Sequence, residues 1–571
     1  MAKKKKTKPT KKVKTSIAIQ RKTLFERIEL FFEKRHHIVA LIVTLLSAVL
    51  AMMMFDAKVS TGLDDSTYLQ QGWKYSQDFF NHYFTSQAPF YAMFLAIPIS
   101  FLGLNLVALK IINVLFFVLS VYFFYRAFRY KVNWLVLFAA LLIYATNTEA
   151  LRMASLTYTE AMYMFFQSAF LWAALSLIHK IDNNKGIVSI LKEHWLSILV
   201  TSILFYFLYY TRTVGIASVV VFIVYFLSRK EWKLAAVVPG AMIVVYLLFG
   251  AVKNGIWENT DHTSSQSKIL FQKDAYDASE GYEDFSGLIT RALENTNQYF
   301  SSRFFEILGF RDYPSTWDWT LALLILIPLF IALFVAIKNK KKTHLYNILF
   351  IGATCGFTFL ALQTSWGQAR YIMILLGCIF IALFGLLYYW FRKPKLMGYQ
   401  FFALIIMSIF IISNFSTAYK KAFKNLAVAK ANLFEKNQYK GYTPDWENYL
   451  RLSKFCGDSL EADAYVACRK APMSFIYSGG KEFYPIWRTS NNPDPDSTLN
   501  RWKNEGVTHV MVGNLRINAK TSQGGIINTV HRVLQPIQNK YPRALELAKK
   551  QGEYEEAILI RLNYDVMPKS E

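Results

Sequence analysis

Six charged residues lie where long apolar runs of the sequence end, and a group of charged side chains at such positions could do chemistry on a bound molecule. They are Asp64, Asp65, Arg152, Glu160, Arg212 and Arg370. A carboxylate can accept the proton of a reacting hydroxyl group. A guanidinium donates charge-assisted hydrogen bonds to anionic groups. We therefore predict a site that combines three acids with three arginines.

The composition indicates that these groups lie among membrane-spanning helices. Hydrophobic residues make up 54% of the 571 residues and charged residues 18%, whereas soluble domains carry about 25% charged residues. Apolar blocks such as 38–55 and 320–337 are long enough to cross the hydrocarbon core of a bilayer. This pattern excludes a soluble enzyme, a disordered chain and a disulfide-rich scaffold, and it predicts a polytopic membrane protein.

Basic residues predict the orientation of the helices. Of the net charge of +25, residues 1–35 contribute +10, from 13 Lys and Arg and three Glu. Further basic clusters recur at every second connection between apolar blocks, as the positive-inside rule requires. We therefore predict a basic cytoplasmic tail at 1–35 that touches anionic membrane lipids, rather than an arm that binds nucleic acid.

Eleven spanning helices are predicted, so that the C-terminus emerges outside the cytoplasm. They lie near 38–55, 105–125, 133–149, 158–178, 195–211, 213–228, 234–251, 319–337, 345–362, 371–391 and 399–417. The all-α transmembrane domain then covers 36–417, with extracytoplasmic loops at 56–104 and 252–318. In this topology the six charged residues all face the extracytoplasmic side.

The last segment, 418–571, is more polar and is predicted to be a small extracytoplasmic α/β domain, because strand-like and helix-like runs alternate in it. The expected strands lie at 464–467, 508–512 and 557–561, and the expected helices at 496–505 and 526–550. Cys456 and Cys468 in this domain either form a disulfide or are two buried thiols. The first loop is predicted to hold an amphipathic interfacial helix that starts at Asp64, followed by a short apolar segment that ends at Gly103.

A divalent cation is the one cofactor that the charged residues bring into question. Asp64, Asp65 and Glu160 offer the oxygen ligands that hard cations prefer. Two adjacent acids are nevertheless few ligands, and the arginines could neutralise a phosphate instead. We therefore expect neither a metal nor another cofactor.

Several motifs, taken in order, resemble those of the polytopic glycosyltransferases with the GT-C fold. They are the acidic start of the first loop at 64–65, Pro89-Phe90-Tyr91, the segments 108–116 and 152–161, Tyr210-Thr211-Arg212-Thr213-Val214-Gly215, and Ala369-Arg370-Tyr371. Within that fold the chain resembles bacterial relatives of protein O-mannosyltransferases and of the lipid A aminoarabinose transferase, in glycosyltransferase family 39. The resemblance covers about residues 20 to 420.

This resemblance implies transfer of a sugar from a polyprenyl-phosphate carrier to a lipid, glycan or protein acceptor at the outer face of a bacterial inner membrane. It makes Asp64 or Asp65 the candidate general base, and it gives Glu160 a role in orienting the acceptor or contacting the donor. The candidate phosphate ligands are Arg152, Arg212, Arg370 and the neighbouring Tyr371.

One position departs from the family pattern. Relatives in the aminoarabinose branch often carry Lys-Pro-Pro where this chain has Gln87-Ala88-Pro89. Gln87 therefore takes the place of a lysine that contacts lipid phosphate, and Lys74 or Lys110 could supply the missing charge.

Two other functions remain open at this point. A flippase or transporter of polyprenyl-linked saccharide would need polar groups along a path through the helices, and the predicted helices are nearly free of charge. A non-catalytic assembly partner would bind through the C-terminal domain.

Overall fold

The computed structural model describes residues 22–62, 64–181, 186–258, 269–274, 277–487, 493–517 and 525–567. Most of the predicted basic tail, residues 1–21, lies outside these ranges. In chain order, the helices before the C-terminal domain are α1 (Leu24–Met53), α2 (Asp64–Gln77), α3 (Phe90–Leu102), α4 (Leu106–Phe128), α5 (Trp134–Ala145), α6 (Thr148–Ala154), α7 (Thr159–Lys180), α8 (Ile187–Thr211), α9 (Ala217–Ser228), α10 (Trp232–Ile256), α11 (Phe285–Asn297), α12 (Phe304–Ile307), α13 (Trp319–Lys338), α14 (Lys342–Ala361), α15 (Arg370–Met373), α16 (Leu376–Phe391) and α17 (Gln400–Leu433).

Among the described residues, eight helices are long and apolar enough to span a membrane. They are α1, α4, α7, α8, α10, α13, α14 and α17. The pair α5 and α6, bent by 53°, counts as a ninth span if it is one crossing. The remaining two predicted spans are the shorter apolar helices α9 and α16, so each of the eleven predicted segments is helical.

The outermost predicted helices are longer than expected. Helix α1 begins at Leu24 instead of near residue 38, because Thr23 and Glu26 form a capping box that satisfies the first backbone N–H groups. Helix α17 continues to Leu433, well past the predicted end near 417. The second half of this helix contains several buried alanines and leads into the C-terminal domain.

The first loop folds as predicted into two short helices that pack against each other. Helix α2 buries Tyr68, Leu69 and Tyr75, while α3 lies over them as a short apolar helix of 13 residues. Gly72 makes this contact possible, because a Cβ at that position would lie 2.9 Å from Leu95 Cβ. The pair forms a platform at one end of the helical bundle.

The C-terminal domain contains a five-stranded sheet with helices beside it. Its elements are α18 (Pro444–Ser459), β1 (Tyr465–Cys468), α19 (Ala471–Tyr477), β2 (Phe483–Pro485), α20 (Pro495–Asn504), β3 (Val507–Gly513), α21 (Thr529–Lys540), β4 (Leu545–Gln551) and β5 (Ala557–Leu562). The strand order is β2-β1-β3-β5-β4, with β2, β1 and β3 parallel and β5 antiparallel to both β3 and β4. The predicted strands at 464–467, 508–512 and 557–561 are confirmed.

The structure corrects one predicted helix of this domain and shows the state of its two cysteines. The predicted helix 526–550 is wrong in its second half, because α21 ends at Lys540 and residues 545–551 pair with β5 as a strand. Pro542 follows the helix end, and a proline there cannot donate the next helical hydrogen bond. Cys456 and Cys468 are two buried free thiols.

One hydrophobic cluster joins the C-terminal domain to the first loop. Tyr68 and Tyr75 of α2 belong to the same buried cluster as Trp446, Tyr449 and Phe475 of the C-terminal domain. The C-terminal domain therefore packs on the platform that carries the predicted acids.

The bend between α5 and α6 is stabilised by two buried asparagines. Asn147 caps α6 by accepting hydrogen bonds from the backbone N–H groups of Glu149 and Ala150. Asn414 of α17 donates to the carbonyl of Ile143 and the hydroxyl of Thr146, and it accepts from Asn147 Nδ2. These bonds replace the helical ones that the bend interrupts.

We expect Asn414→Leu to lower the free energy of unfolding by about 1–3 kcal/mol, because it leaves the polar groups at the bend unpaired. Thermal unfolding of the purified protein in detergent measures the change. Ser408→Leu, on an exposed part of the same helix, is the matched control and should shift stability by less than about 0.5 kcal/mol. Equal shifts in the two variants would contradict this role of Asn414.

Candidate active site

Four predicted residues meet at one end of the helical bundle, although they are far apart in the sequence. Asp64 begins α2, Glu160 lies in the first turn of α7, Arg212 follows the end of α8, and Arg370 begins α15. Each residue therefore lies at a helix end, where a charged side chain can leave the apolar interior. We refer to these four residues as the ion-pair cluster.

Arg370 bridges the two carboxylates of the ion-pair cluster. Its Nη1 atom lies 3.1 Å from Asp64 Oδ2 and 3.5 Å from Glu160 Oε1. Arg212 Nη1 donates to the same Glu160 oxygen at 2.5 Å. Two acids and two arginines thus neutralise one another in a compact group.

Exposure decreases steadily from Asp64 to Glu160. The side chain of Asp64 is 36% exposed, those of Arg212 and Arg370 are 18% and 13% exposed, and that of Glu160 is 1% exposed. Asp64 is therefore the carboxylate that a solute can reach, while Glu160 forms the floor of the cluster. Within the described residues, Glu160 Oε2 is buried and has no hydrogen-bond partner.

Aromatic rings surround the two guanidinium groups. The Tyr371 ring centroid lies 5.3 Å from the Arg212 guanidinium carbon and 5.1 Å from that of Arg370, so this ring lies between the two arginines. The Tyr158 ring lies 5.3 Å from Arg370 on another side. Cation–π contacts of this kind favour the charged guanidinium and restrict its orientation.

Asp65 has a different environment from Asp64. The structure therefore distinguishes the two acids, which the sequence could not. Its side chain is fully buried and accepts hydrogen bonds from the backbone N–H groups of Ser60, at 2.8 and 3.0 Å, and Ser66, at 3.0 Å. Burial raises the pKa of Asp65 to about 6, although the Lys110 ammonium and these hydrogen bonds favour the charged form. Asp65 therefore holds the loop in front of α2, while the Asp64 side chain stays partly exposed to solvent.

Lys110, a predicted phosphate ligand, does not contact the ion-pair cluster and donates to backbone carbonyls instead. It is fully buried in α4, and its ammonium donates to the carbonyls of Asp56, Lys58 and Ser155. An ammonium has three donors, so each one already has an acceptor. Lys110 is a structural residue that fixes the segment leading to Asp64.

The C-terminal domain holds the same segment from the other side. Lys470, 6% exposed, donates to the Thr61 carbonyl at 2.7 Å, and the Tyr442 hydroxyl donates to the Val59 carbonyl at 2.9 Å. Segment 56–61 is therefore anchored by both domains. Sequence reasoning did not identify Lys470 or Tyr442, because only their distance from Asp64 in space, and not their spacing in the chain, connects them to the site.

The remaining predicted residues lie outside the ion-pair cluster. Arg152 pairs with Glu149 at 2.7 Å and its side chain is 48% exposed. Lys74 pairs with Glu482 of the C-terminal domain at 3.3 Å. Gln87 is partly exposed in the loop before α3. Lys74 therefore connects α2 to the C-terminal domain.

A divalent cation fits this arrangement poorly. The reachable oxygen of Asp64 and the buried oxygen of Glu160 both face Arg370, and a bound cation would be repelled by that guanidinium. In the described part of the chain, no three His, Cys, Asp or Glu side chains are grouped as metal ligands. The donor set is better suited to an anion held by the arginines.

No protein-family model and no curated protein matches the sequence, but solved structures match the fold. The lipid A aminoarabinose transferase ArnT of Cupriavidus metallidurans, bound to undecaprenyl phosphate, superposes with a TM-score of 0.55 at 11% identity. This match covers 93% of the present chain and 99% of the other. The chain has the GT-C fold.

A second solved structure supports the same fold. The archaeal oligosaccharyltransferase AglB of Archaeoglobus fulgidus, in complex with an inhibitory peptide and a dolichol-phosphate, matches with a TM-score of 0.50 at 10% identity, over 95% of the present chain and 76% of its own. The predicted fold class, a polytopic helical domain with a small α/β domain, is confirmed.

We expect Lys110→Met to lower the free energy of unfolding by at least about 3 kcal/mol, because it leaves three carbonyls and the buried Asp65 carboxylate without their cation. Lys74→Met removes a lysine whose side chain is 39% exposed and should change stability by less than about 1 kcal/mol. Thermal unfolding in detergent compares the two variants. If Lys110→Met is no less stable than Lys74→Met, the anchoring role is wrong.

Proposed function

We propose that the protein is a glycosyltransferase that moves a sugar from a polyprenyl-phosphate-linked donor to a lipid, glycan or protein acceptor. The observation that carries this proposal is the ion-pair cluster, in which Arg370 joins a reachable acid to a buried one beside Arg212. Such a transfer requires a group that accepts a proton and groups that bind phosphate. In this proposal a reachable carboxylate and two arginines serve these two functions.

In this proposal Arg212 and Arg370 bind the phosphate of the donor. The bond between the anomeric carbon and the phosphate oxygen breaks during transfer, and the leaving polyprenyl phosphate gains negative charge. Guanidinium groups fixed in advance stabilise such charge more effectively than mobile ones. The Tyr371 ring and Glu160 supply this fixation by restricting both arginines.

Asp64 acts as the general base in the same scheme. The acceptor hydroxyl attacks the anomeric carbon, a new carbon–oxygen bond forms, and the hydroxyl proton passes to Asp64 Oδ1 or Oδ2. Binding of the donor phosphate to Arg370 competes with the Asp64 ion pair and frees the carboxylate for this proton transfer. Asp65 takes no proton from substrate, because its oxygens are buried and accept backbone hydrogen bonds.

The proposed reaction needs no metal or other cofactor, because Arg212 and Arg370 supply the positive charge that a divalent cation provides elsewhere. The proposed location is the bacterial inner membrane, with the N-terminus in the cytoplasm. The site and the C-terminal domain then face the extracytoplasmic side, because the basic clusters lie at the opposite helix ends. The proposed partners are the lipid-linked donor, the acceptor and membrane lipids, without nucleic acid.

Asp64→Asn should lower transfer by about 10²-fold or more, because an amide cannot accept the acceptor proton. Asp65→Asn should retain more transfer and lose mainly thermal stability, because an amide oxygen can still accept one of the Ser60 and Ser66 hydrogen bonds. The measurement is complementation of a deletion strain, with glycan analysis and quantification of the accumulated polyprenyl-phosphate-linked sugar. Transfer is then repeated in detergent extract, where no bilayer separates donor from acceptor.

Asp78→Asn, in an exposed turn after α2, serves as the matched control and should keep full transfer. The assignment of the base is wrong if Asp64→Asn retains wild-type activity, or if Asp65→Asn alone abolishes it in a normally folded protein. Loss of product in detergent extract by the wild-type protein, with glycan formed in cells, would instead favour a transporter.

Arg370→Lys should lower transfer by about 10²-fold to 10³-fold, since a lysine lacks the planar fork that can keep Glu160 and bind a phosphate at the same time. Arg451→Lys, at an exposed pair of the C-terminal domain, controls for the exchange of arginine by lysine and should be neutral. Initial rates at varied donor concentration separate weaker binding from slower chemistry. An Arg370→Lys protein with unchanged rates would exclude Arg370 from the phosphate site.

A further inference from the structure

A second polar site lies at the end of the bundle opposite the ion-pair cluster. Helix α7 carries Glu160 in its first turn and Ile178 in its last turn, and the two residues are about 27 Å apart at 1.5 Å per residue. The Ile178 carbonyl accepts a hydrogen bond from Lys342 Nζ at 3.2 Å, and His179 bonds to Thr343 at 2.8 Å. The start of α14 is therefore fixed at the far end of α7.

A cavity of about 310 Å³ opens at this far end, between α13, α14, α16 and the connection from α4 to α5. Its rim carries Lys131, Lys341 and Arg392, together with the rings of Tyr388 and Tyr389. Its floor is apolar and is formed by Ala332, Ala336, Ile348, Ala382 and Leu386. Cationic groups over an apolar floor match an amphiphile with an anionic head group.

The positive charge at the rim is only partly offset, through the attraction between Arg392 and the nearby Glu29. Among the described residues that line the cavity there is no Asp or Glu. The nearby Glu29 already accepts the backbone N–H groups of Trp134 and Leu135 at the start of α5. Burial, and after it the charges of Arg126, Arg129 and Lys180, lowers the pKa of the Lys131 ammonium to about 8. A bound anion would offset this mutual repulsion.

The neighbouring helix indicates that the anion belongs to a lipid. Helix α13 borders the cavity and exposes Phe330, Phe334 and Ile337, which are 69%, 66% and 52% exposed. These side chains are the part of α13 that faces hydrocarbon in a spanning helix. An acyl chain can therefore run along α13 while the phosphate of the same molecule lies at the rim.

We propose that this cavity binds the phosphate head group of an anionic phospholipid. Basic pockets between helices at the positively charged membrane face bind such head groups, and each Lys or Arg near the surface strengthens the attraction. The site is separate from the proposed donor site, because it lies at the other end of α7. Lys341 and Arg392 are exposed in the structure, so their side chains are available to the head group.

The test uses the full chain in nanodiscs of phosphatidylcholine containing phosphatidylglycerol, and native mass spectrometry counts the lipid retained by the released protein. We expect the wild-type protein to retain phosphatidylglycerol over phosphatidylcholine. The double variant Lys341→Gln and Arg392→Gln should lose this preference by roughly thirtyfold. The matched control, Lys338→Gln with Lys395→Gln, removes two exposed charges from the same end without altering the cavity lining.

Retention of phosphatidylglycerol by the control but not by the Lys341 and Arg392 variant supports the site. Equal retention by both double variants, or equal loss in both, overturns it in favour of non-specific attraction to the basic face. Inorganic phosphate is titrated separately, and displacement of phosphatidylglycerol by phosphate alone would identify a soluble anion as the ligand and overturn the lipid assignment. None of these readouts depends on glycosyl transfer, so this proposal and the proposed function can fail independently.

Discussion

Two buried ammonium groups hold one short segment of chain, and the position of the candidate site depends on that segment. Residues 56–61 run without regular secondary structure from α1 to α2, so their backbone groups cannot be satisfied within a helix or sheet. A buried carbonyl without a partner costs free energy. Lys110 satisfies two of these carbonyls from the transmembrane domain, and Lys470 satisfies the Thr61 carbonyl from the C-terminal domain.

This arrangement makes the C-terminal domain part of the scaffold of the site. Thr61 lies three residues before Asp64, so the C-terminal domain holds the chain close to the acid. Tyr442 and the Lys74–Glu482 ion pair add two further links between the domains. A domain that only covered the membrane face would not need a buried lysine that donates to the opposite domain.

The ion-pair cluster shows how a site for an anion can be stable when it is empty. Burying an unpaired arginine is costly, and here Glu160 and Asp64 compensate Arg212 and Arg370. Only Asp64 is exposed enough to separate from its partner at little cost. A phosphate that replaces Asp64 at Arg370 would keep the buried Glu160 pairs intact, so binding would exchange one ion pair for another.

Much of this architecture could be predicted from the sequence, because apolar length and charge placement are strong signals in membrane proteins. Of the six charged residues expected at one membrane face, four lie together in the structure, namely Asp64, Glu160, Arg212 and Arg370. The side chains of adjacent residues on a helix point about 100° apart, however. No sequence pattern could therefore decide which of Asp64 and Asp65 is exposed and which is buried.

The errors share a physical cause, which is that tertiary contacts override local pattern. Lys110 is a cation near a helix end, and only the three carbonyls around it show that its donors are already used. Residues 545–551 include good helix formers, yet pairing with β5 makes them a strand. The same reasoning distinguishes the cations at the two ends of the bundle. Those near the site are neutralised by Asp64 and Glu160, whereas those around the opposite cavity have no acid on the cavity wall among the described residues. The proposed lipid phosphate would therefore add the opposite charge at that end, while at the site an anion must compete with Asp64.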